Sequence, residues 1–341
     1  MTSHVTQRPK TFVQRCALPL LRPLALGVMA LTAQLALAQA PADRVYVSSE
    51  KDNKIYVFDT QGAPKQAIEV CQRPRDMKFN RTSSLIYVVC GDSNQLGLVD
   101  TASGKMTGTV PLGDSPEMFG MSPDGKTVYV SIEDENTLAA YDLATKAKLF
   151  DVATGGEPEG VLITPDGQQA YVTSEVANVV HLISLKDRKV LKNIRVGNRP
   201  RRFALAADGK ELWVTNELGA SVSVLSTVDQ SVKATIPFKV QGMRANDVTP
   251  VGITLSPDGK TMWVGLGKAN HVAEVDVATR AVRKNILVGK RAWGMTMHPN
   301  GKTLYVANGL SDDMTLIDAT SGKALRTVPV GRVPHSVLVT P

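Results

Sequence analysis

Residues 116–153 read PEMFGMSPDGKTVYVSIEDENTLAAYDLATKAKLFDVA. The segment opens with an extended apolar stretch, PEMFGMS, and turns at PDGK (123–126). Proline presets φ at the first corner of that turn, and Asp-Gly accepts the left-handed conformation after it. TVYVSI comes next, β-branched and aromatic, then ENTLAAYDL and, past a polar turn, AKLFDVA. None of it has the 3.6-residue spacing of an amphipathic helix. The segment predicts four short antiparallel strands, here a to d.

The pattern recurs along the chain. Aromatic-Val pairs stand at Tyr46-Val47, Tyr87-Val88, Tyr129-Val130, Tyr171-Val172, Trp213-Val214, Trp263-Val264 and Tyr305-Val306, with steps of 41, 42, 42, 42, 50 and 42 residues. A period near forty-two with four strands per unit is the arithmetic of a propeller blade. Seven b strands carry these pairs, and seven a strands follow Pro74, Pro116, Pro158, Pro200, Pro250, Ala292 and Pro334. The repeats open on a b strand at Arg44 and end on an a strand at 336–340. The expected fold is therefore all-β: a seven-bladed propeller of four-stranded antiparallel blades, closed by the C-terminal strand completing the first sheet. Phe79, Phe119, Val161, Phe203, Ile253, Met295 and Val337 take equivalent core positions in the a strands.

The first 38 residues read as a secretory signal, ahead of a single propeller domain over 39–341. Arg8, Lys10, Arg15 and Arg22 precede an apolar centre at 24–31 and a small-residue site, Ala36-Leu37-Ala38. The apolar run is too short and too interrupted for a membrane span, and a retained N-terminal anchor is the alternative. Without this segment the chain keeps 35 Lys and Arg against 32 Asp and Glu, +3, which gives no case for nucleic acid. A periplasmic location follows, and a monomer is expected. Of three cysteines, Cys16 leaves with the signal. Cys71 and Cys90 lie at the same end of one blade, where export favours a disulfide. The other reading is two small buried hydrophobes.

Tyr171-Val172-Thr173, Trp213-Val214-Thr215-Asn216 and Tyr305-Val306-Ala307-Asn308, with SPDGK at Ser122 and Ser256, resemble the YVTN family of β-propeller repeats over the whole repeat region. EKDN (50–53), RPR (73–75), PEG (158–160) and PVGITLSPDGKT (250–261) resemble one subfamily, the periplasmic propellers associated with pyrroloquinoline quinone (PQQ)-dependent alcohol catabolism. That resemblance implies PQQ as a ligand, with no cofactor required, and a quinoprotein dehydrogenase or another periplasmic protein as a partner.

The proline that starts each a strand is followed by a residue repeated round one mouth of the channel: Arg75, Glu117, Glu159, Arg201, Val251, Trp293 and His335. Loops on such a face commonly carry function. Arg75 neighbours Glu117 and Glu159 neighbours Arg201, so one reading is a partly exposed belt of weak ion pairs. The other is a polarised mouth. Arg73, Arg75, Arg199, Arg201, Arg291, Trp293 and His335 form a basic and aromatic side, joined by Arg202, Lys290 and Arg332. Glu117, Glu133, Glu159 and Glu175 form the acidic side, with Asp134, Glu135 and Glu157. Guanidinium forks suit a flat anionic ligand, and Trp293 offers it a stacking face. The eight extra residues before Trp263 fall in FKVQGMRANDVT (238–249), a loop on the same face, where Met243 and Arg244 are expected at a lid or partner contact.

No motif for a catalytic residue stands out. His181 lies mid-strand, His298 on the far face, and only His271 and His335 share the mouth, so no triple-histidine metal site is expected. There is no Cys-x-x-Cys and no Gly-x-Ser-x-Gly. The expectation is a non-catalytic binding module. The alternative is a lactonase or lyase built on Glu117, Glu159 and Arg75, with His335 as base.

Overall fold

The computed structural model describes residues 1–4, 7–11 and 43–341. Apart from its first few residues, the expected signal segment lies outside them. Among the described residues no helix is long and apolar enough to cross a membrane. All the strands belong to the unit Pro41–Pro341.

Among the described residues, twenty-eight strands, β1 (Arg44–Ser49) to β28 (Pro334–Val339), pair into seven four-stranded antiparallel sheets. The first sheet is ordered β28-β1-β2-β3, with β2 at Lys54–Asp59 and β3 at Pro64–Glu69. Val45 pairs with Val339 and Val47 with Val337, so the last strand closes the ring as the repeat count requires. The Asp-Gly turn is built as the sequence says: Gly125 sits at φ +73°, and Ser122 Oγ donates to Asp124 Oδ1 at 2.6 Å. Burial falls from the axis outward. The b strand Gln169–Ser174 is almost wholly buried, whereas the outer strand Pro64–Glu69 is exposed at all but one residue. Trp213, Trp263, Tyr171 and Tyr305 are the largest fully buried side chains, each wedged between neighbouring sheets.

Two repeated devices shape the channel. The inner strands are β4 (Pro74–Phe79), β8 (Pro116–Met121), β12 (Pro158–Ile163), β16 (Pro200–Leu205), β20 (Ile253–Leu255), β24 (Ala292–Met297) and β28. In six of them the register slips at the second and third residues, so Arg75-Asp76, for instance, oppose a single residue of the b strand. A bulge of this kind re-aims side chains, here across the channel. A hydroxyl of the b strand then repairs the ladder. Thr173 Oγ1 accepts the Gly160 N–H at 2.8 Å and donates to the Arg201 carbonyl of the next blade at 2.9 Å. Ser48, Ser131 and Thr215 do the same for Arg75, Glu159 and Val251. The twentieth strand begins only at Ile253, because the inserted loop delivers Thr249 and Val251 onto the b strand as isolated hydrogen bonds.

Candidate functional site

Three tiers of side chains surround the mouth. The outer tier is the residue before each proline: Arg73, Ser115, Glu157, Arg199, Arg291 and Val333 all have positive φ, between 51° and 62°. Non-glycine residues rarely hold this conformation unaided. An Asn or Asp of the preceding blade clamps each backbone N–H: Asn53 for Arg73 at 3.1 Å, Asn178 for Arg199 at 2.7 Å, Asn270 for Arg291 at 2.8 Å. The equivalent residue ahead of the inserted loop is Ala220, which has no such side chain. The signal for this clamp is a recurring Asn in the b-to-c turn, which the sequence reading did not single out.

The second tier is the ring itself, and all seven of its members are buried. Arg75 Nη1 lies 2.5 Å from Glu117 and Nη2 3.9 Å from Glu159, while Arg201 Nη2 lies 3.1 Å from Glu159 and Nη1 bonds Glu175. The third tier comes from the b-to-c turns: Glu50, Glu133, Glu175 and Glu217. Arg73 bridges to Glu117 at 3.1 Å, and Arg199 to Glu175 at 2.5 Å and Glu217 at 3.1 Å. The neighbours expected from repeat position thus meet. They do so in a buried network, edged by the part-exposed Arg73 and Arg199, because the bulges turn them inward. The basic and acidic sides also close on each other across the opening. Five guanidiniums (73, 75, 199, 201, 291) share the mouth with seven carboxylates (50, 117, 133, 157, 159, 175, 217), so no basic arc stands free.

The carboxyls divide accordingly. Burial pushes Glu159 up, but Arg201, Arg75 and Arg202 overcome it and hold the group at about 2. Burial, reinforced by Glu159, raises Glu175 to about 8 against Arg201 and Arg199. Burial likewise holds Glu117 well above the usual carboxylate range despite Arg75. His335 is kept neutral by burial and by Arg75 and Arg202. Its Nε2 accepts from Arg202 Nη2 at 3.0 Å, so Nδ1 carries the proton and donates to Ser336 Oγ at 3.1 Å.

Arg291 stands apart. Among the described residues it has no carboxylate within salt-bridge reach, and its guanidinium lies 4.1 Å from the centre of the Trp293 ring. Burial and the nearby Arg201 and Arg75 lower its pKa against the pull of Glu217. Arg291, Trp293, Arg73, Arg199, Glu133 and Glu217 line a basin of about 240 Å³ above the ring. Arg332 points outward to Asp52 at 2.7 Å, and His181 and His298 serve their own blades, by accepting the backbone N–H of Gly155 and of Asn300. Cys71 and Cys90 are bonded to each other. In the inserted loop Phe238, Val240 and Val248 are buried, Met243 is exposed, and the Arg244 side chain is 91 % exposed.

The profile of the YNCE-like β-propellers matches residues 105–298, more than half of the sequence. The chain belongs to the YNCE-like β-propeller family. No curated protein sequence matches it significantly. Among solved structures it is similar to the periplasmic gluconolactonase PpgL of Pseudomonas aeruginosa, with a TM-score of 0.75 and 21 % identity over 88 % of this chain and 99 % of that one. It is also similar to Kuenenia stuttgartiensis hydrazine synthase (TM-score 0.72, 19 % identity, 84 % and 98 % covered). A third is a putative 6-phosphogluconolactonase of Bacteroides uniformis (0.73, 18 %, 88 % and 100 %). At these identities the likeness is one of fold, and proteins can share blades without sharing chemistry.

Proposed function

We propose that this protein is a binding module whose mouth basin holds a small anionic ligand, with Arg291 as the charge and Trp293 as the platform. The observation that carries this reading is the Arg291–Trp293 pair, a guanidinium left without a carboxylate at the edge of a network that pairs its neighbours. Arg73 and Arg199, each two blades away, line the same basin, and the buried ring beneath supplies a rigid floor. The basin is smaller than the roughly 300–1,000 Å³ of typical cofactor pockets. A small acid therefore fits it better than PQQ, whose tricyclic plane would rest across the mouth with one carboxylate on Arg291. The Cys71–Cys90 bond supports an oxidising compartment, and with the N-terminal sequence it supports export to the periplasm. There the resemblance makes PQQ-dependent alcohol oxidation the setting to test, and the inserted loop with Met243 and Arg244 the contact for a dehydrogenase partner.

One observation favours the rival lactonase or lyase reading: the Glu117 carboxyl lines the basin and is held well above the carboxylate range, as a general acid needs. Against it, the lone pair of His335 Nε2 is already taken by Arg202. Thermal melts with PQQ, glycolate and acetate decide between them, alongside lactone-opening assays. A binder shows a ligand-dependent rise in Tm that Arg291→Ala/Trp293→Leu abolishes, and no turnover. Turnover lost in Glu117→Gln, with no melt response, would overturn the binding reading.

A further inference from the structure

Beneath the ring the channel widens again into a chamber of about 480 Å³, which shares no lining residue with the mouth basin. The buried ring side chains divide the two. The chamber is built from the third and later residues of the inner strands. At the third position Gly160, Gly252 and Gly294 leave no room for a side chain, because each Cβ would meet the ring residue's carbonyl of the next blade. In β16 the third residue is Arg202 instead.

Arg202 is 7 % exposed, and among the described residues no carboxylate lies within salt-bridge reach of it. Nη2 donates to the neutral His335, and Nε has no partner. Burial lowers its pKa to about 10, with Arg201 and Arg75 adding to the effect and Glu159 and Asp76, both beyond salt-bridge reach, only partly offsetting it. A buried guanidinium left in this state is costly unless something anionic joins it. The chamber's own acid, Asp76, is engaged elsewhere: Lys78 Nζ sits 2.8 Å from its Oδ2. That pair leaves carboxylate and ammonium edges facing the lumen, whose remaining wall is mostly apolar, of methionine, valine, leucine, isoleucine and Phe203, with glycines, two threonines and Ser336.

We propose that this chamber is a second binding site, for a small hydroxycarboxylate whose carboxylate lies on Arg202 and whose hydroxyls face Asp76 and Lys78. A guanidinium fork matches a carboxylate bidentately, and the chamber volume falls in the range of small-molecule pockets. The two cavities are separate, so the chamber can bind whether or not the mouth does.

Methionine methyl NMR on the full chain tests it, with D-gluconate as the probe and sorbitol as its uncharged counterpart. Met77, Met118, Met121 and Met295 line the chamber, while Met243 is exposed on the inserted loop. Gluconate should shift the chamber methyls and leave Met243 in place, and sorbitol should shift none. Arg202→Met should weaken gluconate at least tenfold. Arg291→Ala should leave the chamber shifts intact. Shifts confined to Met243, or chamber shifts that persist in Arg202→Met, would overturn the proposal. So would the absence of any shift at tens of millimolar gluconate in the wild type, a result that needs no variant to fold.

Discussion

Replacing Glu175 by Gln tests the electrostatics of the mouth directly. Glu175 is buried against Arg201 and Arg199, and that burial, reinforced by Glu159, holds it protonated up to about pH 8. An acid whose folded pKa lies above its unfolded value stabilises fully below the unfolded value and loses that contribution as pH rises toward the folded one. For Glu175 the window runs from 4.5 to about 8, and the full loss is roughly 5 kcal/mol at 1.36 kcal/mol per pKa unit. Gln imitates the protonated carboxyl and does not titrate. Glu175→Gln should therefore match the wild type near pH 5 and exceed it by several kcal/mol at pH 8. Guanidinium denaturation midpoints at pH 5, 6, 7 and 8, at constant ionic strength, give the difference. Glu159 moves in the opposite sense but below pH 4.5, outside the range measured. The neutral His335 loses stability as pH falls past its unfolded value, and this term is common to both proteins and cancels. Parallel pH profiles for the two proteins would show Glu175 ionised throughout and would refute the argument.

Three further outcomes are expected from the geometry. Thr173→Val keeps the shape but strands the Gly160 N–H and the Arg201 carbonyl, and should lower stability by about 2–4 kcal/mol in denaturant titrations. Arg75→Ala leaves Glu117 and Glu159 buried without that partner, and should lower stability by about 3–5 kcal/mol. Adding Glu117→Gln should restore part of the loss, and a double mutant no better than the single would argue against the pairing. Cys71→Ser/Cys90→Ser should cost about 3 kcal/mol in the chain-entropy picture, and reductant should lower the wild-type Tm while leaving the variant unchanged.

The blades were legible because their code is local. Tyr-Val pairs, Pro-Asp-Gly turns and a forty-two-residue period act within one repeat, and each says the same thing seven times over. The closure of the ring came from counting strands, since a chain that opens on a b strand needs a final a strand to cover its edge. Cys71 and Cys90 were legible for the same reason, being placed by repeat position at one end of one sheet.

The mouth was only half legible, because its chemistry is set between blades. Repeat position placed Arg75 beside Glu117 and Glu159 beside Arg201, and that much held. It said nothing of the bulge that turns residues 75–76 and their counterparts toward the axis, since a bulge changes register without changing composition. Read as exposed side chains, the arginines made a basic arc. Turned inward, they are consumed by Glu50, Glu117, Glu159, Glu175 and Glu217, and among the described buried guanidiniums Arg291 and Arg202 stand without a salt bridge. Those two were legible by a different rule: compare each ring position with its sisters and ask which cation has no acid one blade away. Arg201 has Glu159 before it, and Arg75 has Glu117 after it. The positions equivalent to Arg202 hold glycine in the next two blades, so no acid of the same tier meets its charge. In a propeller, function is better sought in the residue that breaks the repeat's own pairing than in the ring as a whole.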